Sequence, residues 1–302
     1  MNSFEIQKLF ENITVWKRRE ERAPHKPLLL LYVLGYYLNG GDRLIPYAQI
    51  DQNLSQLLDE FGRYGSKGVQ YPFWYLQNDG IWEIPHRENL HTNKKGDVSR
   101  KELLNLNICG GVPTVIYDIF VHQPELMLSL VKKILHAHFP DSLHEDILSV
   151  INIQPELNTR KDIRLIRDPE FREKILIAYQ YRCAICGFDI RLSGKSICLE
   201  AAHIKWHQAG GPSVESNGLA LCVLHHKLFD RGAFTISPAL KIHVSENTHG
   251  TAGFNEWLLN FNGQNIQYPQ RKSYAPSQEF LAWHVKEVFR GKYRTVSANS
   301  DE

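Results

Sequence analysis

The sequence has no apolar run approaching the ~20 residues that a membrane-spanning helix needs, its longest stretch being Leu28 to Leu38. That excludes an ordinary transmembrane helix and a membrane partner of that kind. The opening residues, Met1-Asn2-Ser3-Phe4-Glu5, lack a basic segment followed by an apolar one, so no secretion signal is expected and a cytoplasmic location is the default. Cysteine is scarce and odd in number, 5 in 302 residues, which argues against a disulfide framework and for reduced thiols. Neither sign of charge dominates, since 35 Lys and Arg against 33 Asp and Glu leave a net +2. Contacts with a polyanion must therefore come from local patches. Internal repeats and low-complexity segments are also missing. What remains is an ordinary globular composition, 43% hydrophobic and 23% charged. At this length two domains are expected, because single cores stop growing at roughly 250 to 300 residues.

The first half reads as an α+β module. A helix leads into a basic turn, Trp16-Lys17-Arg18-Arg19 with Arg22, and a second helix begins at Pro24-His25-Lys26-Pro27. Proline costs nothing in a first helical turn, where its missing N–H would be an orphan anyway. Residues 28–38 are apolar nearly all round and so predicted buried. Tyr71 to Trp82, with Asn78-Asp79-Gly80 inside it, reads as two short aromatic strands around a turn. Helical periodicity fills 117–139 and again 142–151, and Cys109, without a partner in sequence, reads as core. From Gln154 to Arg167 the chain turns polar and basic, with Arg160, Lys161, Arg164 and Arg167. The domain boundary is placed there, giving 1–155 and 156–302.

The second half opens with a helix carrying Phe171, Ile175, Ala178 and Tyr179 on one face, then a knuckle, Arg182-Cys183-Ala184-Ile185-Cys186-Gly187. Alternation of Ile197, Leu199 and Ala201 with Cys198, Glu200 and Ala202 predicts a strand ending at His203. A loop with Gly210-Gly211-Pro212 and Asn217-Gly218, a short helix near Cys222 to Asp230 and a hairpin through 234–236 and 241–244 follow, making a ββα unit. Structural zinc takes four soft or borderline ligands, often as two close pairs. Cys183-x-x-Cys186 and Cys222-x-x-His225 are two such pairs, with Cys198 a possible substitute ligand. His226 follows at once, rotated ~100° along the helix and so facing away from the zinc ligands. Asp230 lies four residues on, on that same face, so the two can share a hard divalent ion. His203, at the end of the facing strand, supplies an imidazole beside that ion, as activation of water against a phosphodiester requires.

Glu200-Ala-Ala-His203-Ile204, Asn217-Gly218-Leu219-Ala220-Leu221-Cys222 and His225-His226-x-x-x-Asp230-x-Gly232 resemble the signature of HNH (ββα-metal) nucleases. The resemblance implies His203 as general base, Asn217 as holder of the loop that orients it, and His226 as ligand of a catalytic Mg²⁺ or Mn²⁺. Many members carry a metal-binding Asp or His just before the base, where this chain has Ala202. Glu200, on the same strand face, and Asp230 are the candidates to serve instead.

The segments His25-Lys26-Pro27-Leu28-Leu29-Leu30-Leu31, Tyr71-Pro72-Phe73-Trp74-Tyr75-Leu76-Gln77-Asn78-Asp79-Gly80 and Phe280-Leu281-Ala282-Trp283-His284 resemble restriction endonucleases that join a sulfur-binding domain to an HNH domain. That implies an N-terminal reader of phosphorothioate DNA. Sulfur in place of a non-bridging oxygen is larger, more polarizable and a poor acceptor, so its reader must offer an apolar dent with cations on neighbouring phosphates. Pro72 between Tyr71 and Tyr75 is expected to form the dent, with His25 and Lys26 as the positive rim and Arg100 and Lys101 as further contacts. The expected function is modification-dependent cleavage of double-stranded DNA. The alternatives are an HNH nuclease reading another mark, or a non-catalytic zinc-stapled DNA-binding module. One HNH site cuts one strand, so a double-strand break requires two visits or two copies, as in a homodimer.

Overall fold

A computed structural model describes residues 1–13, 17–18, 21–63, 65–153 and 169–295. Trp16, Arg19 and the basic stretch of 154–167 lie outside the described residues. The chain divides into two compact units, Met1–Ile163 and Arg164–Glu302. Among the described residues no helix is long and apolar enough to cross a membrane.

The first unit is mostly helical. Helix α1 (Ser3–Glu11) starts with a capping box in which Asn2 accepts from the Glu5 N–H and Glu5 accepts from the Asn2 N–H. Two-residue strands β1 (Lys17–Arg18) and β2 (Glu21–Arg22) pair before α2 (His25–Leu38). Leu28 to Leu31, Val33 and Leu34 are fully buried, so α2 is wrapped on all sides, as its unbroken apolar run requires. Strand β3 (Ile45–Pro46), α3 (Tyr47–Phe61), α4 (Gln70–Tyr75), α5 (Arg100–Asn105), β4 (Cys109–Gly110), α6 (Thr114–His122), α7 (Pro124–His138) and α8 (Asp141–Val150) follow. Helix α2 packs on α3, α4 and α7; α7 also packs on α1 and α8; α8 reaches α3.

Three expectations fail here for physical reasons. The aromatic stretch 71–82 is no hairpin: it is α4 and a 3-10 turn over Leu76–Asp79 that Gly80 closes. Pro72 sits in the first helical turn, and Phe73 and Leu76, three apart, are both fully buried. Phe73 meets Tyr47 and Trp82 edge to face at 4.9 and 5.7 Å. Tertiary packing thus overrides the β propensity of the aromatic residues. The long periodic stretch 117–139 breaks into α6 and α7 at Gln123, whose φ of −135° and ψ of 69° follow from the proline after it. Cys109 is only half-buried, because β4 is a two-residue strand paired with β3.

The second unit begins with α9 (Pro169–Ala178), whose Phe171, Ile175 and Ala178, with Tyr179 beyond its end, are all buried as its periodicity predicts. A small hairpin, β5 (Arg191–Leu192) with β6 (Lys195–Ser196), precedes β7 (Leu199–His203) and β8 (Gly218–Cys222). These pair antiparallel in a register that sets Leu199 opposite Cys222 and His203 opposite Gly218. The strand starts later than its alternation suggests, because Cys198 adopts φ +54° and breaks the extended run; Ile197 is exposed. Helix α10 (Val223–Asp230), hairpin β9 (Phe234–Ile236) with β10 (Ile242–Val244), α11 (Ala252–Trp257) and α12 (Gln278–Glu287) complete the unit. Both α9 and α10 pack on the β7–β8 pair, a ββα core flanked by a further helix.

Candidate functional site

The knuckle and the start of α10 meet at a cluster of four ligand atoms. The Ala184 N–H donates to Ala220 O at 2.7 Å, tying the knuckle to the strand that ends at Cys222. Cys183, Cys186, Cys222 and His225 each offer a ligand atom within 4.8 Å of all the others. Its edges include 4.0 Å between the Cys186 and Cys222 sulfurs, 3.7 Å from Cys183 Sγ to His225 Nδ1, and 3.1 Å from Cys222 Sγ to His225 Nδ1. A tetrahedron with metal–sulfur bonds of 2.3 Å has edges of about 3.8 Å, so the donor set fits a tetrahedral metal ion. His225 Nε2 donates to Trp257 O at 2.9 Å, which leaves Nδ1 bare toward the sulfurs. Cys198 is exposed and stands outside the cluster.

One residue along α10 the chemistry changes. His226 Nδ1 meets Glu200 Oε2 at 2.7 Å and its Nε2 meets Asp230 Oδ2 at 3.1 Å. The second Asp230 oxygen accepts from the Trp206 indole at 3.1 Å. Burial works against a charge on His226, but the Asp230 and Glu200 carboxylates outweigh it and raise the imidazole to about 10. A positive charge on the ring itself is therefore favoured, with one carboxylate at each of its nitrogens. Ala202 is fully buried and offers nothing.

The alternation of β7 sends His203 to the other face, where its ring stacks on Phe171 of α9 with centroids 4.0 Å apart. Its Nε2 lies 3.3 Å from Ser213 Oγ. Asn217 is fully buried behind it: Oδ1 accepts from the Lys205 N–H at 2.8 Å, and Nδ2 donates to Lys205 O at 3.0 Å and Pro212 O at 2.9 Å. Every bond of this amide goes to loop backbone, so it fixes the turn that follows His203. Gly211 permits the closure, since a Cβ there would lie 1.9 Å from Lys205 O.

In the first unit, His25 opens α2 and its Nε2 donates to Lys67 O at 2.9 Å. Burial, against that hydrogen bond, holds its imidazole below the usual histidine range. Gly68, at φ +79°, brings the Tyr71 ring close: a Cβ there would be 2.9 Å from Tyr71 Cδ2 and 4.0 Å from His25 Nε2. Tyr71, 45% exposed, faces Tyr75 at 6.5 Å, and Tyr75 donates to Asp97 at 2.7 Å. His25, Gly68 and Tyr71 thus stand together at the N-terminus of α2.

The family described as "ScoMcrA-like, DNA sulfur-binding domain" matches residues 4–156, just over half of the chain. This protein belongs to that family. The HNH endonuclease family matches residues 183–237, which span the metal cluster, His203, Asn217 and His226, so this member carries an HNH endonuclease domain. None of the curated proteins matches the chain. Among solved structures, the "Sulfur binding domain of ScoMcrA complexed with phosphorothioated DNA" is 23% identical with a TM-score of 0.45, over 49% of this chain and 94% of that one. The "Type IV phosphorothioation-dependent restriction endonuclease ScoMcrA" is 24% identical with a TM-score of 0.41, over 50% of this chain and only 29% of that one. The "Modification dependent TagI restriction endonuclease" is 25% identical with a TM-score of 0.30, covering 41% of this chain and 39% of that one.

In this ScoMcrA-like chain the anticipated nuclease residues fall into two groups, Glu200 with His226 and Asp230, and His203 in the turn that Asn217 pins. The anticipated DNA-reading residues fare less evenly. Pro72 is buried beside Phe73, because α4 turns it inward, so it does not form an exposed surface. Lys26 is paired with the Asp79 carboxylate, both side chains largely buried, and Arg100 grips Asp51 through two 2.6 Å contacts. Their charge is already balanced within the fold, unlike that of a free rim. Lys101 is exposed. Sequence reasoning did not single out Gly68 and the exposed Lys67, which lie beside His25. Their signal was the loop Gly62-Arg63-Tyr64-Gly65-Ser66-Lys67-Gly68, in which basic residues alternate with glycine.

Proposed function

We propose that this chain is a modification-dependent restriction endonuclease whose first unit selects phosphorothioate DNA and whose second unit hydrolyses phosphodiesters nearby. The observation that carries the reading is His226 held between two carboxylates, one residue beyond a closed sulfur-rich cluster, with Asn217 pinning the turn behind His203. Cys183, Cys186, Cys222 and His225 would hold a structural Zn²⁺, whose binding energy is folding energy in a unit of this size. Glu200, His226 and Asp230 would hold Mg²⁺ or Mn²⁺, an ion that stabilises charge developing on phosphate and leaving oxygens. His203 accepts a proton from the attacking water, its ring held by Phe171 and by the clamped turn. Trp206 keeps Asp230 aimed at His226.

In the reader, the His25, Gly68 and Tyr71 group offers what sulfur requires: aromatic surface, no competing side chain, and first-turn N–H groups of α2 for the anionic oxygens. Lys67 and Lys101, both exposed, would contact the flanking phosphates. A second copy of the chain would supply the cut in the other strand. Matched plasmids carrying phosphorothioate, methylated or no modification, incubated with and without Mg²⁺ or Mn²⁺, test the whole reading. Metal-dependent cleavage confined to the phosphorothioate plasmid is expected. Equal cleavage of all three would refute the sulfur reading, and binding without cleavage would refute the nuclease.

A further inference from the structure

A second constellation of metal-binding residue types lies in the first unit, where neither family description assigns one. Helix α7 ends at His138 and α8 begins at Asp141, and the corner between them gathers His136, Asp141 and His144, each with a ligand atom within 4.8 Å of the others. His144 is 2% exposed and its Nε2 lies 2.8 Å from Phe139 O. A carbonyl oxygen only accepts, so Nε2 is the donor in this hydrogen bond and Nδ1 is left for another partner. That nitrogen faces Asp141 Oδ1 at 4.0 Å, too far for a hydrogen bond. The gap between this nitrogen and the carboxylate oxygen is close to that between two ligands of one metal ion. His136 adds an independent sign, since its Nδ1 is buried without a hydrogen-bond partner.

We propose that His136, Asp141 and His144 form a divalent-metal site, for Zn²⁺ or a similarly borderline ion, that clasps the end of α7 to the start of α8. Two imidazoles and one carboxylate are a usual zinc donor set, with water completing the fourth position. The ring geometry agrees. An imidazole bound at about 2.05 Å has its centroid about 3.2 Å from the ion, so two such rings at the tetrahedral angle have centroids about 5.2 Å apart. The His136 and His144 centroids are 4.9 Å apart, their planes inclined by 54°. Closing the Asp141 edge to the ~3.4 Å of a metal tetrahedron takes a small rotation of a side chain that is 35% exposed. Helix α7 packs on α2, whose N-terminus bears His25, so the clasp steadies the element that carries the DNA-reading group.

The test uses the full chain, stripped with a mild chelator and reloaded with zinc in the presence of excess Mg²⁺. Metal bound per chain is then measured by mass spectrometry for wild type, His136→Gln and Asp141→Asn. Each variant is expected to bind one equivalent fewer than wild type. A parallel Co²⁺ loading shows that the variants are folded, because the thiolate-to-cobalt band of the cysteine cluster should be unchanged. Added zinc should also raise the melting midpoint of the first unit in wild type and not in the variants. Equal stoichiometry in wild type and both variants, with the cobalt band intact, overturns the proposal.

Discussion

Replacing Asn217 separates a residue that holds the catalytic loop from one that acts on substrate. Its amide makes three hydrogen bonds to loop backbone, at 2.8, 3.0 and 2.9 Å, in a fully buried position. Asn217→Ala removes all three at once and leaves the Lys205 N–H and two carbonyls to find other partners. At about 1 kcal/mol net for each bond, the loss is about 3 kcal/mol, and more if the stranded groups stay dry. In a unit of this size that corresponds to a fall of roughly 6 to 12 °C in melting midpoint. Asn217→Asp is the sharper probe. The introduced carboxyl keeps an acceptor for Lys205 N–H but sets a second oxygen against two carbonyl oxygens. Its pKa should rise in the folded state, so stability is retained at low pH and lost as pH climbs above the ordinary carboxyl range. Calorimetry of the full chain from pH 4 to 8, alongside a nicking assay, reads both effects. If either variant melts like wild type while nicking is abolished, Asn217 acts on substrate and the clamp argument fails.

Cys183→Ser should lose its zinc and its solubility together, as metal analysis of soluble and pelleted protein would show; soluble, zinc-free and fully active variant protein would refute a structural role. His203→Ala should lower nicking by at least ~100-fold with an unchanged melting curve, because a general base bears on the barrier and not on the core. His226→Ala should be partly rescued by excess Mn²⁺ and His203→Ala should not; equal rescue of both would undo the division of roles. Gly68→Ala forces φ +79° on a residue with a Cβ that would press on the Tyr71 ring. It should reduce the preference for phosphorothioate duplex over unmodified duplex in competition binding, and an unchanged preference would remove this group from the reading.

Much of the second unit was legible in the sequence because its chemistry is local. The ligand pairs Cys183/Cys186 and Cys222/His225 are each three residues apart, and the step from His225 to His226 is a fixed rotation on one helix. The pairing of His226 with Glu200 was visible only as a shared strand face, since its 2.7 Å contact depends on how β7 lies against α10. The reader was less legible for the same reason. The aromatic residues of 71–82 carry the β propensity of strands around a turn, whereas the burial of Phe73 against Tyr47 and Trp82 favours the helix over Gln70–Tyr75. No local pattern announced that Lys26 would be neutralised by Asp79, 53 positions away, or that Gly68 would stand beside His25.

The clamp made by Asn217 turns the segment after His203 into a closed lariat. Its neck is fixed by the bonds to Lys205 and Pro212, while His207–Ala209 and Gly210 form a turn with hydrogen bonds of its own, the His207 ring 6.0 Å from that of His203. Length added beyond His207 would meet the fixed neck before His203, and loop-closure entropy costs only about 0.6 kcal/mol for each doubling. The turn that holds His203 and the outer part of the loop are thereby separable, so the loop can lengthen or change sequence beyond its neck while His203 keeps its place.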